Sequence, residues 1–129
     1  MKFIRQYDQM DCGPACVCMV ADHFGKEYPL SYLRAHSHLS RDGVSIAGIR
    51  ESLKYIGIQS ASFNVNNEQL REKFSFPVIL HWEQNHFVVL YQVKWSWWKR
   101  KWLYSVANPA YGKHTFTEDT FNSYLSNNY

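Results

Sequence analysis

The sequence predicts an α+β domain in which N-terminal helices pack on a C-terminal antiparallel β-sheet. Up to residue 57, apolar residues recur at helical spacing between capping and stop residues. From Pro77 onward, short runs rich in β-branched and aromatic residues are separated by turn residues, which is typical of strands. Helices followed by strands therefore favour the α+β class.

The first helix is predicted over residues 12–24. Pro14 suits the first turn of a helix, where a missing N–H costs nothing, and Gly25 suits the left-handed residue that follows a helix. One stripe of this helix should face the core, because apolar residues recur along it at three- and four-residue spacing. The members of that stripe are Ala15, Met19, Val20, His23 and Phe24.

Two further helices are predicted from their capping residues. Residues 29–36 are expected to form a short helix with Ser31 as its N-cap. Residues 45–56 are expected to form a longer helix that begins with Ser45 as its cap and ends at Gly57. Both helices precede the region of strand-like sequence.

The second half of the chain is predicted to supply the sheet. Residues 59–65 could form a strand, and a brief helix follows at residues 67–72. A last helix begins near Thr117, with acidic residues in its first turn, and frays at residues 127–129. Four strands are expected to pair as an antiparallel meander: residues 78–82, 86–93, 101–107 and 114–116.

Length and composition indicate one globular domain over residues 1–129. A mass of 15.3 kDa is typical of a single domain, and 46% hydrophobic with 19% charged residues excludes a disordered chain. The net charge of +3 is too small to predict binding across a nucleic acid surface. No nucleic acid partner is therefore expected.

The sequence also bears on the cellular compartment. Residues 1–6 hold no apolar core for a signal peptide, and the longest apolar run, residues 87–91, is far shorter than the roughly 20 residues that span a bilayer. Cys12, Cys16 and Cys18 are an odd number of cysteines in one short segment, whose helical spacing does not suit a disulfide. Reduced thiols in a cytoplasm are expected.

Cys12 is the candidate nucleophile. It lies at the N-terminus of the first predicted helix, where the positive end of the helix dipole is expected to lower the pKa of a thiol. Its neighbour Gly13 has no side chain, so the sulfur should be approachable. Cys16 and Cys18, inside the same helix, fit buried structural cysteines better.

A cysteine nucleophile needs a base, and His86 is the first candidate among six histidines. It opens a strand directly after the turn-like residues 83–85, whereas His81, on the preceding strand, is the alternative. Asn108 follows a later strand and could accept the imidazole N–H, which would select one tautomer. Judged on these residues alone, an ordinary Asn-Pro turn is the favoured interpretation of Asn108.

Several separated motifs resemble, in order, the peptidase domain of bacterial peptidase-containing ABC transporters. These are papain-like cysteine peptidases that process bacteriocins and related peptides at double-glycine leaders. The resemblance extends from residue 6 to residue 112 and so covers almost the whole chain. Its motifs are Gln6, residues 11–16 (DCGPAC), residues 77–82 (PVILHW), residues 86–90 (HFVVL) and residues 108–112 (NPAYG).

The resemblance implies a role for four residues. Cys12 matches the nucleophile, and His86 matches the general base that later protonates the leaving amine. Gln6 matches the side chain that joins the Cys12 backbone N–H in an oxyanion hole. Asn108 matches the third member, where the family usually carries aspartate. An asparagine can orient the imidazole but supplies no negative charge, so a weaker thiolate–imidazolium pair is expected.

The function implied is a cysteine endopeptidase that cuts after a Gly-Gly or Gly-Ala pair at the end of a leader. Cleavage would be coupled to export by the membrane and nucleotide-binding domains of an ABC transporter, at the cytoplasmic face of the plasma membrane. The leader is expected to dock as an amphipathic helix on a hydrophobic surface whose residues the sequence does not indicate. The chain would then be the N-terminal domain of a longer exporter or a separate chain, since it holds neither a Walker-type loop nor a membrane span.

Two alternatives remain from the sequence. A non-catalytic module that binds leaders and recruits cargo would explain the asparagine at position 108, although the intact Cys12 opposes it. A metal site formed by Cys12, Cys16 and Cys18 with a histidine is weak, because the C-x3-C-x-C spacing matches no familiar zinc pattern. Neither a metal nor another cofactor is expected.

A tryptophan-rich basic segment, residues 94–102, is not explained by these motifs. It holds four of the five tryptophans and four basic residues. We favour a twisted hairpin whose strand tryptophans pack on the sheet while the basic residues keep its tip soluble. The alternative is a contact surface for the membrane interface or for an acidic leader peptide.

Overall fold

The structure is a computed structural model that describes residues 1–6, 11–35, 45–82 and 86–125. It has the predicted α+β architecture, in which helices of the first half pack on a sheet formed by the second half. The helices are α1 (Cys12–His23), α2 (Leu30–Ala35), α3 (Ile46–Tyr55), α4 (Asn67–Lys73) and α5 (Glu118–Tyr124). The strands are β1 (Val78–Trp82), β2 (His86–Ser96), β3 (Lys101–Asn108) and β4 (Gly112–Thr117).

The four strands form one antiparallel sheet in the order β1-β2-β3-β4, which confirms the predicted meander. Strand β2 is longer than predicted and reaches Ser96, since it pairs with β3 up to Ser96 opposite Lys101. The register shifts between Leu90 and Gln92, where a bulge interrupts the ladder. Strand β3 ends at Asn108, at the same end of the sheet as the start of β2.

The sheet is covered on both faces, which explains the nearly continuous apolar runs of β2 and β3. Phe87 and Val89 belong to one core, together with α1 and α3. Val88 and Leu90 face the opposite core, which Phe121 of α5 helps to fill. Successive side chains of a strand point to opposite faces, so two cores require apolar residues at every position.

Helix α1 is buried all round rather than along one stripe. Residues 12–21 are all buried, whereas His23 and Phe24, which the stripe prediction placed in the core, are exposed. The prediction was wrong because α1 contacts β2, α2 and α3 together, and small residues along the helix allow that enclosure. The helix ends at His23, and Gly25 adopts the predicted left-handed conformation with φ of +80°.

Two of the local predictions are corrected by the structure. Ser31 is not an N-cap, because α2 begins at Leu30 and the carbonyl of Pro29 accepts bonds from the N–H groups of Tyr32 and Leu33. Residues 59–65 form no strand; a strand needs a neighbouring edge to pair with, and this segment lines an apolar cavity instead. The predicted end of the second helix at residue 36, the turn-like residues 83–85 and the predicted fraying at residues 127–129 lie outside the described residues.

The other helix predictions are confirmed. The Ser45 side chain accepts a bond from the Gly48 N–H at 3.1 Å, and Gly57 follows α3 with φ of +84°. Helix α4 has a reciprocal capping box between Asn66 and Gln69. Among the described helices, none is long and apolar enough to cross a bilayer.

Candidate active site

The fold brings three of the predicted site residues to one end of the sheet. Cys12 is the first residue of α1, His86 the first residue of β2 and Asn108 the last residue of β3. Helix α1 packs against β2, and Cys12 lies in the same core cluster as Phe87. The backbone of Phe87 also hydrogen-bonds the Cys12 thiol, so the sulfur lies beside the strand residue that follows His86.

His86 and Asn108 are joined by a hydrogen bond of 2.8 Å between Nε2 and Oδ1. The same Oδ1 accepts a bond from the Ala110 N–H at 3.0 Å. A backbone N–H can only donate, so this atom of Asn108 must be the carbonyl oxygen, and Nε2 of His86 must carry a hydrogen. The neutral imidazole therefore presents Nδ1 as its acceptor nitrogen. Asn108 is only 8% exposed, which protects this arrangement from competing water.

Gln6 is held next to the same turn. Its backbone N–H donates to the carbonyl of Pro109 at 3.0 Å. The neighbouring Arg5 side chain donates to the carbonyl of Ala110, also at 3.0 Å. The N-terminal segment is thereby tied to residues 108–110, and the predicted oxyanion donor lies in the same region as the predicted triad.

Burial dominates the electrostatics of Cys12. The residue is 4% exposed, and this burial raises the pKa of its thiol above the ordinary value of 9.0. Backbone hydrogen bonds from Phe87, Gly13 and Cys12 itself lower the pKa, and the charge of Asp11 raises it further. Two predictions were therefore wrong: the thiol pKa is raised because desolvation outweighs the helix N-terminus, and Gly13 does not leave the sulfur exposed.

Cys16 and Cys18 behave as structural cysteines, as predicted. All three cysteines are free and buried. Burial raises the pKa of Cys16 well above its ordinary value and that of Cys18 to about 12. The Cys18 thiol donates to the carbonyl of Tyr28 at 3.6 Å.

Asp11 and Arg34 form an ion pair at the N-terminus of α1 that the sequence analysis missed. Asp11 is fully buried, and Arg34 donates to its two carboxylate oxygens at 2.7 and 2.5 Å. Such a bidentate salt bridge fixes the orientation of the carboxylate and offsets its negative charge beside the thiol. The sequence shows a carboxylate directly before Cys12, but nothing near position 34 indicates that Arg34 is its partner.

The other histidines occupy different surroundings. The ring of His81 packs on that of Phe87 with centroids 5.1 Å apart, and His114 lies on β4 near Phe116. His23 is exposed, and His36 and His38 lie outside the described residues. No group of three or more metal-ligating side chains occurs within the described ranges.

An apolar cavity of about 390 Å³ lies beside this region. Its walls come mainly from α1, α3, β1 and the segment over residues 58–65, with further residues from α4 and β2. Phe87 lines the cavity, and its backbone also reaches Cys12. The sequence did not indicate these lining residues, because they come from many separate parts of the chain.

A thiol at a helix N-terminus, an imidazole and an amide on adjacent strands form the arrangement of a papain-like cysteine peptidase. The α+β fold of this chain is the fold of that class, as comparison with solved structures shows. The chain belongs to the Peptidase C39 family, whose profile matches residues 1–129.

Its relatives include much longer proteins. The colicin V secretion/processing ATP-binding protein CvaB of Escherichia coli is 33% identical over 95% of this chain. The lactococcin-G-processing and transport ATP-binding protein LagD of Lactococcus lactis is 35% identical over 87% of this chain. The chain spans only 17% and 16% of the lengths of these two relatives.

Two solved structures show the likeness in three dimensions. A double-glycine-motif protease from an AMS/PCAT transporter, in complex with its leader peptide, matches with a TM-score of 0.88 and 27% identity over 98% of this chain and 86% of that chain. The peptidase domain of Streptococcus ComA, a bifunctional ABC transporter involved in quorum sensing, gives a TM-score of 0.85 and 25% identity over 98% of this chain and 93% of that one.

Proposed function

We propose that this chain is a cysteine endopeptidase that cleaves the leader of an exported peptide after a double-glycine motif, Gly-Gly or Gly-Ala. The observation that carries the proposal is the bond between His86 Nε2 and Asn108 Oδ1, at the end of the sheet where the Cys12 thiol lies beside Phe87. The relatives that process secreted peptides, and the double-glycine protease structure, support the choice of substrate.

In this mechanism His86 Nδ1 takes the proton of the Cys12 thiol as the sulfur attacks the carbonyl of the second glycine. The resulting oxyanion receives hydrogen bonds from the Cys12 N–H and the Gln6 side-chain amide. The imidazolium then protonates the leaving amine, and a thioester joins the leader to Cys12. Water, deprotonated by His86, hydrolyses the thioester and restores the thiol.

Because the Cys12 thiol is buried, we expect its proton to move to His86 during the attack on the carbonyl. A thiolate that exists before the attack is disfavoured. Burial raises the pKa of Cys12, and Asn108 offers His86 a neutral oxygen rather than a carboxylate. Both effects disfavour a standing thiolate–imidazolium pair. Asn108 therefore acts by holding the Nε2–H tautomer, so that Nδ1 remains the proton acceptor.

We place the leader in the apolar cavity beside the site. An amphipathic helix buries one apolar face in a groove, and the cavity walls are mainly apolar side chains of Ile49, Leu53, Phe63 and Ile79. Phe87 connects the cavity to the Cys12 thiol, so a docked leader would direct its C-terminal glycines to the sulfur. A glycine pair suits a thiol that is only 4% exposed, since larger side chains would obstruct the approach.

The proposal extends to the setting of the chain. We assign it the role of a single peptidase domain, within residues 1–129, of an ABC exporter whose membrane and nucleotide-binding domains move the released peptide. The small share of CvaB and LagD that the chain spans supports this assignment. The domain would then work at the cytoplasmic face of the plasma membrane, where leaders are presented before export.

The test is mass spectrometry of synthetic precursors whose leaders end in Gly-Gly, incubated in reducing buffer. Wild-type protein should cut after the second glycine, and Cys12→Ala should not. Cys18→Ala is a matched control, because it removes a thiol of the same helix that donates to the Tyr28 carbonyl and is not part of the proposed triad. Cleavage by Cys12→Ala, or none by the wild type, would contradict the proposed activity.

A second candidate function is a leader-binding module without catalysis. The neutral Asn108 and the raised pKa of Cys12 favour it, because both reduce the reactivity of the thiol. Leader binding measured by fluorescence anisotropy separates the two functions. Tight binding without cleavage over a long incubation supports the recruitment module.

A further inference from the structure

The tryptophan-rich segment divides into two parts with different surroundings. Trp95 and Trp102 face each other across β2 and β3, with ring centroids 5.3 Å apart, and are half-buried. Arg71 lies over the Trp102 ring, 4.7 Å from its centroid. These two tryptophans are therefore packing residues of the hairpin, as the favoured sequence interpretation predicts.

Trp97 and Trp98 are packed far less: Trp97 makes an edge-on contact with Trp95, with ring centroids 6.1 Å apart, and otherwise both rings face solvent. They lie in the tight turn over residues 97–100, which we call the tryptophan tip, and are 84% and 94% exposed. The Lys99 N–H donates to the Ser96 hydroxyl at 3.2 Å, and Arg100 adopts a left-handed conformation with φ of +53°, which closes the turn. Leaving two adjacent indoles in water is unfavourable unless the surface has a partner.

All charged residues of the segment that carries the tip are positive. Lys94, Lys99, Arg100 and Lys101 flank the two indoles, and residues 94–102 contain no acidic residue. Indole rings favour the boundary between headgroups and acyl chains of a bilayer, and basic side chains favour anionic headgroups. The tip combines both preferences on one protruding turn.

We propose that the tryptophan tip inserts into the headgroup region of an anionic lipid bilayer. A convex, protruding turn suits a deformable lipid surface, whereas peptides are recognised in grooves such as the apolar cavity. Tip and cavity are also separate, because none of residues 97–100 lines the cavity. The half-buried pair Trp95 and Trp102 fixes the base of the tip, so that the exposed indoles are presented in a defined direction.

Insertion of the tip would orient the peptidase on the membrane. Strand β2 runs 11 residues from Ser96, next to the tip, to His86 in the candidate site. At about 3.3 Å per residue, the strand separates the site from the tip by roughly 30 Å. A leader could then reach the site from the cytoplasm without contact between the site and the bilayer.

The experiment is sedimentation of the 129-residue chain with vesicles of phosphatidylcholine, alone or mixed with phosphatidylglycerol. Wild-type protein should bind the mixed vesicles, bind the neutral ones at least about tenfold more weakly, and dissociate as salt is added. Trp97→Ser with Trp98→Ser should reduce binding to the mixed vesicles by about tenfold or more. Lys99→Gln with Arg100→Gln should do the same.

Two control variants distinguish the effect of the tryptophan tip from the effect of removing positive charge or an aromatic ring elsewhere on the surface. Lys54→Gln with Lys73→Gln removes two exposed positive charges elsewhere, and Tyr55→Ser removes an exposed aromatic ring. Both should bind vesicles as the wild type does. Equal vesicle binding by the wild type and the tip variants, or no binding by the wild type, would overturn the proposal.

Leader binding and cleavage of a soluble precursor are measured on the same variants. Unchanged values are expected, since the tip touches neither the cavity nor the candidate site. A loss of leader affinity with unchanged vesicle binding would identify the tip as a peptide-binding surface and would also overturn the proposal. Vesicle binding does not depend on peptidase activity, so failure of the proposed function would leave this result intact.

Discussion

Arg34 binds both carboxylate oxygens of Asp11, the residue that immediately precedes Cys12. Asp11 is fully buried, whereas the Arg34 side chain is 40% exposed. The guanidinium therefore lies between solvent and the buried carboxylate at the N-terminus of α1. Because the charge of Asp11 raises the pKa of Cys12, the guanidinium also offsets an unfavourable charge beside the thiol. The pair thus connects the stability of α1 with the chemistry of its first residue.

Arg34→Ala should destabilise the fold, because it leaves the buried Asp11 carboxylate without its guanidinium. Since Arg34 is partly exposed, we expect a loss at the low end of the range for broken buried pairs, about 3 kcal/mol in the free energy of unfolding. Urea denaturation measures it. Arg34→Lys should be more stable than Arg34→Ala but less stable than the wild type, because an ammonium cannot form the bidentate salt bridge. A loss no larger than that of Lys54→Ala would contradict the structural role of the pair.

Asn108→Ala should reduce kcat by on the order of 100-fold, because the imidazole loses the acceptor that fixes its tautomer. Asn108→Asp should increase kcat/KM, since a carboxylate stabilises the imidazolium and can still accept the Ala110 N–H. Kinetics on a fluorogenic double-glycine precursor measure both changes. If Asn108→Ala retained full activity, the bond between Asn108 and His86 would have no part in catalysis.

Gln6→Ala should lower kcat by about 100- to 1000-fold with little change in KM, the expected effect of losing one oxyanion donor. The backbone bond from Gln6 to Pro109 does not involve the side chain, so the N-terminal segment should remain attached. Lys2→Ala is the matched control on the same segment. An increase in KM at constant kcat would show that Gln6 binds the leader instead.

Phe63→Ser should weaken leader binding by roughly 10-fold or more, since this cavity residue is 64% exposed and would be buried by a docked helix. KM should increase while kcat stays nearly constant, because Phe63 would contact the docked leader and has no role in the bond changes. Tyr55→Ser, an exposed aromatic residue outside the cavity lining, serves as the control. Equal effects of the two substitutions would place the leader elsewhere.

The free energy of unfolding should fall as the pH rises above 9, because of the buried Cys18 thiol. Burial raises the pKa of the Cys18 thiol from 9.0 to about 12, so the unfolded chain loses this proton at a lower pH than the folded chain does. The contribution to stability is complete below pH 9 and is lost as the pH rises toward 12. Urea denaturation across this interval should show a smaller decline for Cys18→Ala than for the wild type. Identical declines would contradict burial as the cause.

The fold was predictable because its signals are local. The glycines at positions 25 and 57 end helices, and runs such as residues 78–82 and 86–93 specify strands whose short connections leave a meander as the simplest pairing. The partnership of His86 and Asn108 follows from that meander, since the start of β2 lies beside the end of β3.

Other features depend on long-range packing and were not predictable. Arg34 reaches Asp11 across 23 residues of sequence, and no periodicity encodes that contact. The helical pattern correctly indicated an N-terminal position for Cys12, but the sequence alone could not show that α1 would be enclosed and that desolvation would raise the thiol pKa. The cavity was missed for a similar reason, because residues 59–65 alternate like a strand and yet form one of its walls.

The central claim is that Cys12 forms a covalent bond to the leader at its last glycine. Intact-protein mass spectrometry of a rapidly acidified reaction with a Gly-Gly precursor tests it most directly. The account predicts wild-type protein carrying the mass of the leader as a thioester on Cys12, with the free cargo peptide in solution, and no adduct on Cys12→Ala. Release of the cargo by Cys12→Ala, or an adduct located on Cys16 or Cys18, would contradict it.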